Sequence, residues 1–346
     1  MKRNFDFNSL VRKNIIDLVP YSSARDEFKG EADIFLDANE NPYPSPYNRY
    51  PDPLQMQVKE KLSKIKGVPA TQTFLGNGSD EAIDLLIRAF CEPYKDSILI
   101  TDPTYGMYKV CADVNAVNVK RVTLTADYDL DVPAIMKAND VNTKIIFLCS
   151  PNNPSGNVMS RNKIIEILNQ SSGLVVIDEA YIDFSTEPSF TRELNQHPNL
   201  VILQTFSKAW GLAGLRLGIC FSSVQIIDTL NKIKYPYNVN IKTQELALTA
   251  LDNVTQKQKW VKEILIQREM LRNKLLSIDL VEEVFPSDAN FLLVKVRNAP
   301  LTYKKLMDHG IIVRDRSKVI LCDNCLRITV GTPSENKKLI EALNKL

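Results

Sequence analysis

The sequence predicts an α/β protein with a large, mostly parallel sheet and a second, smaller α+β domain. Between residues 79 and 206, short apolar strands alternate with amphipathic helices, which is typical of a parallel sheet covered by helices on both faces. After about residue 240 the pattern changes to a long charged helical stretch, followed by short strands and helices. The 346 residues suffice for one large domain and a smaller one.

The alternating region begins with a helix over residues 79–90, where apolar residues recur at the spacing of a helical face. In an open sheet of this kind, ligands bind outside the carboxyl ends of the strands. The predicted elements that follow are a strand at 97–101, a helix at 105–114, a strand at 119–124, a helix at 132–139, a strand at 143–150, a helix at 161–170, and strands at 173–181 and 199–206.

The two ends of the chain differ from this central region. Prolines recur over residues 39–53, and since proline removes a backbone donor and blocks helix, we expect this stretch to run extended over a surface. On the C-terminal side of the central region we predict a long helical stretch over 243–276. The predicted organisation is an N-terminal arm over residues 1–45 that packs with the small domain, a large domain over 46–240 and a small domain over 241–346.

The composition favours a cytoplasmic protein whose partners are small molecules. Its 43 basic and 41 acidic residues give a net charge of +2 and form no block of like charge, so no nucleic-acid or membrane patch is expected. The start lacks the apolar stretch of a signal peptide, and no run approaches the ~20 apolar residues that cross a bilayer. With a single CxxC (Cys322 and Cys325) and two isolated histidines, we expect no metal site.

A lysine follows the strand that ends near residue 206. Lys208 lies among Thr205, Ser207 and Arg216, and two hydroxyls with a guanidinium can form a phosphate cradle. A lysine beside a phosphate site can form a Schiff base with a carbonyl compound. The residues alone also allow a solvated loop lysine before a helix.

A carboxylate ends the strand predicted at 173–181. Asp178 follows a run of apolar residues, and Tyr181 comes three positions later. From the residues alone, Asp178 could ligate a metal, act as a general base, cap the strand end or pair with a ring nitrogen. If the ligand is a pyridine ring, the charge of Asp178 keeps the ring nitrogen protonated and makes the ring an electron sink, and Tyr181 can hydrogen-bond the phenolic oxygen.

Two further turns follow apolar strands. Residues 149–156 contain two prolines and a glycine, and Asn152 and Asn153 present amides there, although an ordinary turn would look the same. Tyr105 lies just after another strand and is suited to stacking on a flat ring.

A glycine loop opens the helix predicted at 79–90. Free N–H groups at Gly78, Ser79 and Asp80, together with the helix dipole, would bind a phosphate. The loop lacks the spacing of the nucleotide-binding glycine motifs, and Ser79 also suits an N-cap. Each signal is modest alone, and their occurrence at successive strand ends of one sheet is the stronger observation.

In these motifs the chain resembles the fold-type I pyridoxal-5′-phosphate-dependent aminotransferases, and more narrowly the histidinol-phosphate aminotransferases. The resemblance covers nearly the whole chain. The superfamily is indicated by DEAY (178–181) and SKAWGLAGLRLG (207–218). The resemblance also runs through PYSSAR (20–25), and the narrower family is indicated by NRYP (48–51), DPTYGMY (102–108), GIIVR (310–314) and LRITVGT (326–332).

The resemblance implies a mostly parallel seven-stranded sheet that binds pyridoxal 5′-phosphate. It implies amino transfer from L-histidinol phosphate to 2-oxoglutarate, giving imidazole acetol phosphate and glutamate in L-histidine biosynthesis. Lys208 would carry the cofactor as a Schiff base and move the proton, and Asp178 would pair with the ring nitrogen. Asn153 and Tyr181 would bind the phenolic oxygen, and Tyr105 would stack on the ring.

The remaining implied roles concern anions and a second subunit. Tyr50 would reach the cofactor phosphate of the neighbouring subunit, which implies a homodimer with shared active sites. Arg327 would bind the anionic group of the substrate, with Arg314, Tyr21 and Asn39 nearby. The cofactor phosphate would be held by Gly78, Ser79, Asp80, Thr205, Ser207 and Arg216.

Other functions on the same motifs stay open at this point. An aromatic amino acid aminotransferase and a threonine-phosphate decarboxylase of the same superfamily share much of the pattern. A non-catalytic regulator that binds the same cofactor would be fused to a DNA-binding domain, for which this chain has neither the length nor a basic helix-turn-helix.

Overall fold

The computed structural model describes residues 5–21, 30 and 33–346. Its larger sheet has seven strands in the order β1-β7-β6-β5-β4-β2-β3. Strand β7 runs antiparallel to its neighbours β1 and β6, and all other adjacent pairs are parallel. The predicted mostly parallel, seven-stranded sheet is thus confirmed. The strands are β1 (Thr73–Asn77), β2 (Ser97–Asp102), β3 (Asn118–Thr123), β4 (Thr143–Cys149), β5 (Leu174–Asp178), β6 (Leu200–Thr205) and β7 (Leu217–Phe221).

Helices precede this sheet and connect its strands. The first two are short, and an Asp6 carboxylate that accepts the Asn8 N–H caps the first of them. The helices are α1 (Phe7–Leu10), α2 (Lys13–Ile16), α3 (Met56–Lys66), α4 (Gly78–Phe90), α5 (Met107–Val114), α6 (Val132–Ala138), α7 (Arg161–Gln170) and α8 (Val224–Ile233).

The C-terminal part forms a second, antiparallel sheet of four strands in the order β10-β11-β9-β8. The predicted helical stretch over 243–276 is observed as two helices that meet at Asn253. The elements are α9 (Ile241–Asp252), α10 (Val254–Leu275), β8 (Val281–Val284), β9 (Phe291–Val296), α11 (Ala299–Asp308), β10 (Arg314–Asp315), β11 (Cys325–Thr329) and α12 (Pro333–Leu343).

Strand β5 illustrates how the large sheet buries both of its faces. Val175 and Ile177 belong to the apolar cluster on one face, and Leu174 and Val176 belong to the cluster on the other. Because helices cover both faces, the strand is apolar at every position until Asp178. The first polar side chain of the strand therefore appears at its carboxyl end.

The small sheet has one face turned toward the large sheet. Leu292 and Val294 of β9 pack into a separate cluster with α10, whereas Leu293 between them packs into a cluster of the large sheet. Arg327 of β11 is paired with Leu293 and Arg314 of β10 is paired with Arg327, so these side chains share that face. The division of the chain at residue 240 stays a prediction.

Candidate active site

Polar side chains from five strand ends and the following loops line one cavity. They include eleven of the twelve residues predicted to bind the cofactor, Tyr50 being the exception. Cys149 and Ala180 also line the cavity and were not predicted. The lining residues are Gly78, Ser79, Asp80, Tyr105, Cys149, Asn153, Asp178, Ala180, Tyr181, Thr205, Ser207, Lys208 and Arg216.

Asp178 is a buried carboxylate held by neutral donors. It is 3% exposed, and its oxygens accept hydrogen bonds from the Tyr108 hydroxyl (2.7 Å) and the Ala180 N–H (3.0 Å). Burial raises the pKa of Asp178, although both hydrogen bonds act to lower it. Among the described residues no lysine or arginine forms an ion pair with this carboxylate. The position therefore suits a ligand that brings its own protonated nitrogen.

The first turn of α4 lies where the glycine loop predicts an anion site. The N–H groups of Ser79 and Asp80 have no acceptor within the helix, because they belong to its first turn. Strand β7 passes directly beneath them. A Cβ atom on Gly218 would lie 2.1 Å from the Ser79 nitrogen, so only glycine allows this close approach.

Two details of the glycine loop were predicted wrongly. The Gly78 N–H is not free, since it donates to the Arg216 carbonyl oxygen at 2.6 Å. The helix begins at Gly78, so Asn77 and not Ser79 occupies the N-cap position. The first difference arises because β7 pairs with β1 and brings Arg216 against the loop.

Arg216 and two hydroxyls complete this anion site. The Arg216 guanidinium lies 3.2 Å from the Asp80 carboxylate and 3.5 Å from the Ser207 hydroxyl. The Thr205 hydroxyl accepts the Ser207 N–H at 3.0 Å. Tyr105 donates to the same Asp80 carboxylate at 3.0 Å. These residues thus lie together, as a phosphate cradle requires, and their binding of a phosphate stays a prediction.

Lys208 extends into the cavity with its amine 5.6 Å from the centre of the Tyr181 ring. No carboxylate of the described residues forms an ion pair with it. Burial lowers the pKa of Lys208, and the positive charge of Arg327 lowers it further. The amine thus loses its proton at a lower pH than an ordinary lysine, as a nucleophile or base requires.

Asn153 is buried and receives a hydrogen bond from the small sheet. The Arg327 guanidinium donates to the Asn153 side-chain oxygen and lies 5.3 Å above the Phe291 ring. With its oxygen engaged in this way, Asn153 presents its NH2 group as a donor. The neighbouring Asn152 has a structural role instead, since it donates to the Pro103 carbonyl (3.0 Å) and the Ser155 hydroxyl (2.8 Å).

Three guanidiniums lie on the face of the small sheet that points toward the large one. Arg314 and Arg327 are cross-strand partners, and Arg316 follows Arg314 by two positions on the same side. None of the three forms an ion pair with a carboxylate of the described residues, and the Arg316 Nε is buried without a hydrogen-bond partner. Burial and the neighbouring arginines lower the pKa of Arg316. We call Arg314, Arg316 and Arg327 the arginine face.

Arg316 was missed in the sequence. Its two-residue spacing from Arg314 is a signal, but the strand at that point has only two residues, too few for the alternation to be recognised. The roles predicted for Arg314 and Arg327 stay predictions.

The structure places three other predicted residues away from this cavity. Tyr50 stacks on Tyr237 at 4.3 Å between ring centres and lines a different cavity together with Asn39. Tyr21 is 74% exposed and lines a third one. Residues 22–25 of the PYSSAR motif lie outside the described residues. The predicted roles of Tyr21, Asn39 and Tyr50 therefore stay predictions.

Comparison with known proteins decides the family. The family model for aminotransferase class I and II matches residues 35–343. The histidinol-phosphate aminotransferase of Cytophaga hutchinsonii is 57% identical over 343 residues, covering 98% of this chain and 99% of the relative. The chain belongs to the histidinol-phosphate aminotransferases. The predicted family is confirmed.

Solved structures agree with this aminotransferase in fold. Histidinol-phosphate aminotransferase from Sinorhizobium meliloti, in complex with pyridoxal 5′-phosphate, has a TM-score of 0.79 at 23% identity, covering 86% of this chain and 82% of that one. L-threonine-O-3-phosphate decarboxylase from Porphyromonas gingivalis has a TM-score of 0.74 at 25% identity, covering 86% and 90%. Because an aminotransferase and a decarboxylase share this fold, the family assignment rests on the high sequence identity to the Cytophaga hutchinsonii enzyme.

The aminotransferase is an enzyme that uses pyridoxal 5′-phosphate, and the residues of its cavity fit that cofactor. Asp178 has no cationic ion-pair partner among the described residues, and a protonated ring nitrogen would supply one. The first turn of α4, with Arg216 and its neighbouring hydroxyls, offers donors to a phosphate. Lys208 offers an amine to an aldehyde between these two sites.

The described ranges contain no helix that is both long and apolar enough to cross a membrane. They also contain no group of three or more histidine, cysteine, aspartate or glutamate side chains arranged to hold a metal ion.

Proposed function

We propose that this enzyme transfers the amino group of L-histidinol phosphate to 2-oxoglutarate, giving imidazole acetol phosphate and glutamate in L-histidine biosynthesis. The observation that carries the proposal is the arginine face, whose guanidiniums have no carboxylate partner among the described residues and lie beside the Lys208 cavity. Both substrates are anions, one a phosphate monoester and the other a dicarboxylate. Guanidinium binds both kinds of group in a bidentate manner.

When bound, pyridoxal 5′-phosphate supplies an aldehyde carbon that receives the amino group and a ring that accepts electrons. Lys208 would act as the base that takes the proton from the substrate Cα and as the acid that gives it back, since its lowered pKa makes the amine available as a base. Asp178 keeps its negative charge beside the ring nitrogen and so keeps a proton there. Asn153 and Tyr181 orient the ring by donating to its phenolic oxygen.

Arg327 and Arg314 hold the anionic group of either substrate on the side of the cavity that faces the small sheet. Arg327 contacts Asn153 directly, so the anion site and the cofactor site share a hydrogen bond. Binding of the anion thereby places the substrate amino group next to the cofactor and Lys208.

The enzyme works as a homodimer in this proposal, with Tyr50 completing the site of the neighbouring subunit. In support, Tyr50 and Asn39 lie in a surface cavity apart from Lys208. Inactive Tyr50→Ala protomers mixed with inactive Lys208→Ala protomers should recover part of the activity, because one site of each heterodimer is then intact. Heterodimers without activity would contradict shared sites.

The proposal also includes a cytoplasmic location. All six cysteines are free and buried, which fits a reducing compartment.

The experiment that tests the reaction compares three substrates with the purified holoenzyme. We expect 2-oxoglutarate-dependent consumption of histidinol phosphate to exceed that of phenylalanine and of threonine phosphate. Faster transamination of phenylalanine would favour an aromatic aminotransferase. Release of carbon dioxide from threonine phosphate would favour the decarboxylase.

A further inference from the structure

Tyr108 is a buried residue that contacts the predicted catalytic carboxylate without lining the cofactor cavity. It lies on α5, is 0% exposed and donates its hydroxyl proton to Asp178 at 2.7 Å. The two residues are seventy positions apart in the chain. No role was predicted for Tyr108 from its sequence motif.

The Tyr108 ring is fixed on two sides. It stacks on Phe147 with 4.7 Å between ring centres and an interplanar angle of 12°. It also makes an edge-to-face contact with Tyr105, with 5.6 Å between ring centres and an interplanar angle of 84°. These contacts fix the position of the hydroxyl oxygen beside Asp178. The phenol also keeps its proton, because burial and the nearby Asp178 raise its pKa well above the ordinary value.

The hydrogen bond matters because Asp178 is otherwise poorly stabilised as an anion. The Ala180 N–H serves one oxygen of the carboxylate and Tyr108 serves the other. In a buried site, a donor to the charged form of a carboxylate favours ionisation, and its removal favours protonation. Loss of the Tyr108 hydroxyl would therefore make Asp178 more basic and able to take a proton from a neighbouring group.

We propose that Tyr108 is a positioning residue that keeps Asp178 ionised and thereby keeps the proton on the ring nitrogen of the bound cofactor. It contacts neither the reacting atoms nor the cavity and acts only through Asp178. This inference rests on the role proposed for Asp178 and is independent of which amino donor the enzyme uses.

The test is Tyr108→Phe, which keeps the ring contacts and removes only the hydroxyl. The holoenzyme is loaded with cofactor labelled with 15N in the ring, and the nitrogen resonance is recorded. We expect the resonance to move toward that of neutral pyridine, with kcat of both half-reactions falling roughly 10- to 100-fold. An unchanged resonance would overturn the proposal, because the proposal requires the ring proton to move when the hydroxyl is lost. A fall in activity without a change in the resonance would indicate only a packing defect.

Tyr128→Phe is the matched control. Tyr128 is also buried, and its hydroxyl donates to the Leu321 carbonyl oxygen, away from Asp178. This variant should leave the nitrogen resonance at the wild-type position. A shift equal to that of Tyr108→Phe would mean that the loss of any buried hydroxyl suffices, which contradicts the proposal.

A second measurement applies even if Tyr108→Phe folds poorly. With 3,5-difluorotyrosine at position 108, the more acidic phenol is a stronger donor, so the resonance should stay at the position of the protonated ring or move further toward it. Movement toward the position of neutral pyridine would overturn the proposal. The proposed reaction is tested separately, since a failure of wild-type enzyme to use histidinol phosphate would leave these nitrogen resonances meaningful.

Discussion

The buried carboxylate at the end of β5 and the arginine face border the same region of the enzyme, but they differ in how the protein pairs their charged groups. Both oxygens of Asp178 accept hydrogen bonds from neutral protein donors. The guanidiniums of Arg314 and Arg316 face the same region, and no carboxylate of the described residues forms an ion pair with them. A cofactor that stays bound can be matched by a rigid, prearranged site such as that of Asp178. Two anionic substrates that bind in turn require guanidiniums that can pair with either one.

The variant expected to have the largest effect removes the amine between these two regions. Lys208→Ala should reduce turnover by at least about 10³-fold, because it removes the proposed base along with the attachment point of the cofactor. Single-turnover absorbance changes with histidinol phosphate would measure this loss. The exposed Lys262→Ala is the control. A Lys208→Ala enzyme with a tenth or more of wild-type activity would contradict the assignment.

Asp178→Asn tests the rigid side of the comparison. The amide has the shape of the carboxylate but no charge to hold a proton on the ring nitrogen, so both half-reactions should slow by about 10²-fold or more while the cofactor still binds. Stopped-flow rates at saturating cofactor would measure this. Weakened cofactor binding with unchanged rates would mean that Asp178 only anchors the ring.

Arg327→Lys tests the available charge of the arginine face. A lysine keeps the charge but cannot form the bidentate contact, and the loss of a charge-assisted pair in a partly closed site costs about 2–4 kcal/mol. This corresponds to roughly 30- to 1000-fold in kcat/KM for histidinol phosphate and for glutamate together. Values within twofold of wild type for both substrates would make Arg327 a structural residue.

Arg316→Gln should have a smaller and more selective effect. A phosphate monoester carries close to two negative charges at neutral pH, so the third guanidinium should matter more for histidinol phosphate than for glutamate. We expect kcat/KM for histidinol phosphate to fall about 5- to 30-fold, a cost of roughly 1–2 kcal/mol. Arg272→Gln, outside the arginine face, is the control. Equal losses for both substrates would contradict a preference for phosphate.

The smallest expected effect is a change in pH dependence. Burial and then Arg327 lower the pKa of Lys208, so Arg327→Gln should raise that pKa. Reaction of the apoenzyme with cofactor aldehyde needs the neutral amine, and its rate profile should therefore shift to higher pH in Arg327→Gln. Arg327→Lys keeps the charge and should leave the profile in place. Identical profiles for the Gln variant and wild type would show that the arginine does not influence this amine.

Much of the cofactor cavity could be predicted because its residues lie at the ends of apolar strands. Asp178 is an example, since an apolar run that ends in a carboxylate is visible in the sequence. Strands β1 and β7 were not predicted from the residue pattern, because both are short, contain glycine and adjoin glycine-rich loops. The wrong prediction of a free Gly78 N–H follows from missing their pairing.

Contacts between distant segments could not be predicted from periodicity. Tyr108 belongs to a helix and reads as an ordinary core residue, and only the fold brings its hydroxyl to Asp178. Arg316 follows a strand of two residues, too short for its alternation to be recognised in advance. Tyr50 belongs to a proline-rich arm, and its proposed role depends on a second subunit.

The arginine face, which forms no ion pair with a carboxylate of the described residues, has a practical consequence for handling the enzyme. Inorganic phosphate and sulfate have the charge and geometry that guanidinium binds, so buffers made from them should compete with both substrates. Apparent KM values measured in such buffers would then rise with buffer concentration, while kcat would stay constant. Kinetic work on this enzyme is best done in a zwitterionic buffer with a chloride salt, and precipitants that contain sulfate would compete with substrate during crystallisation.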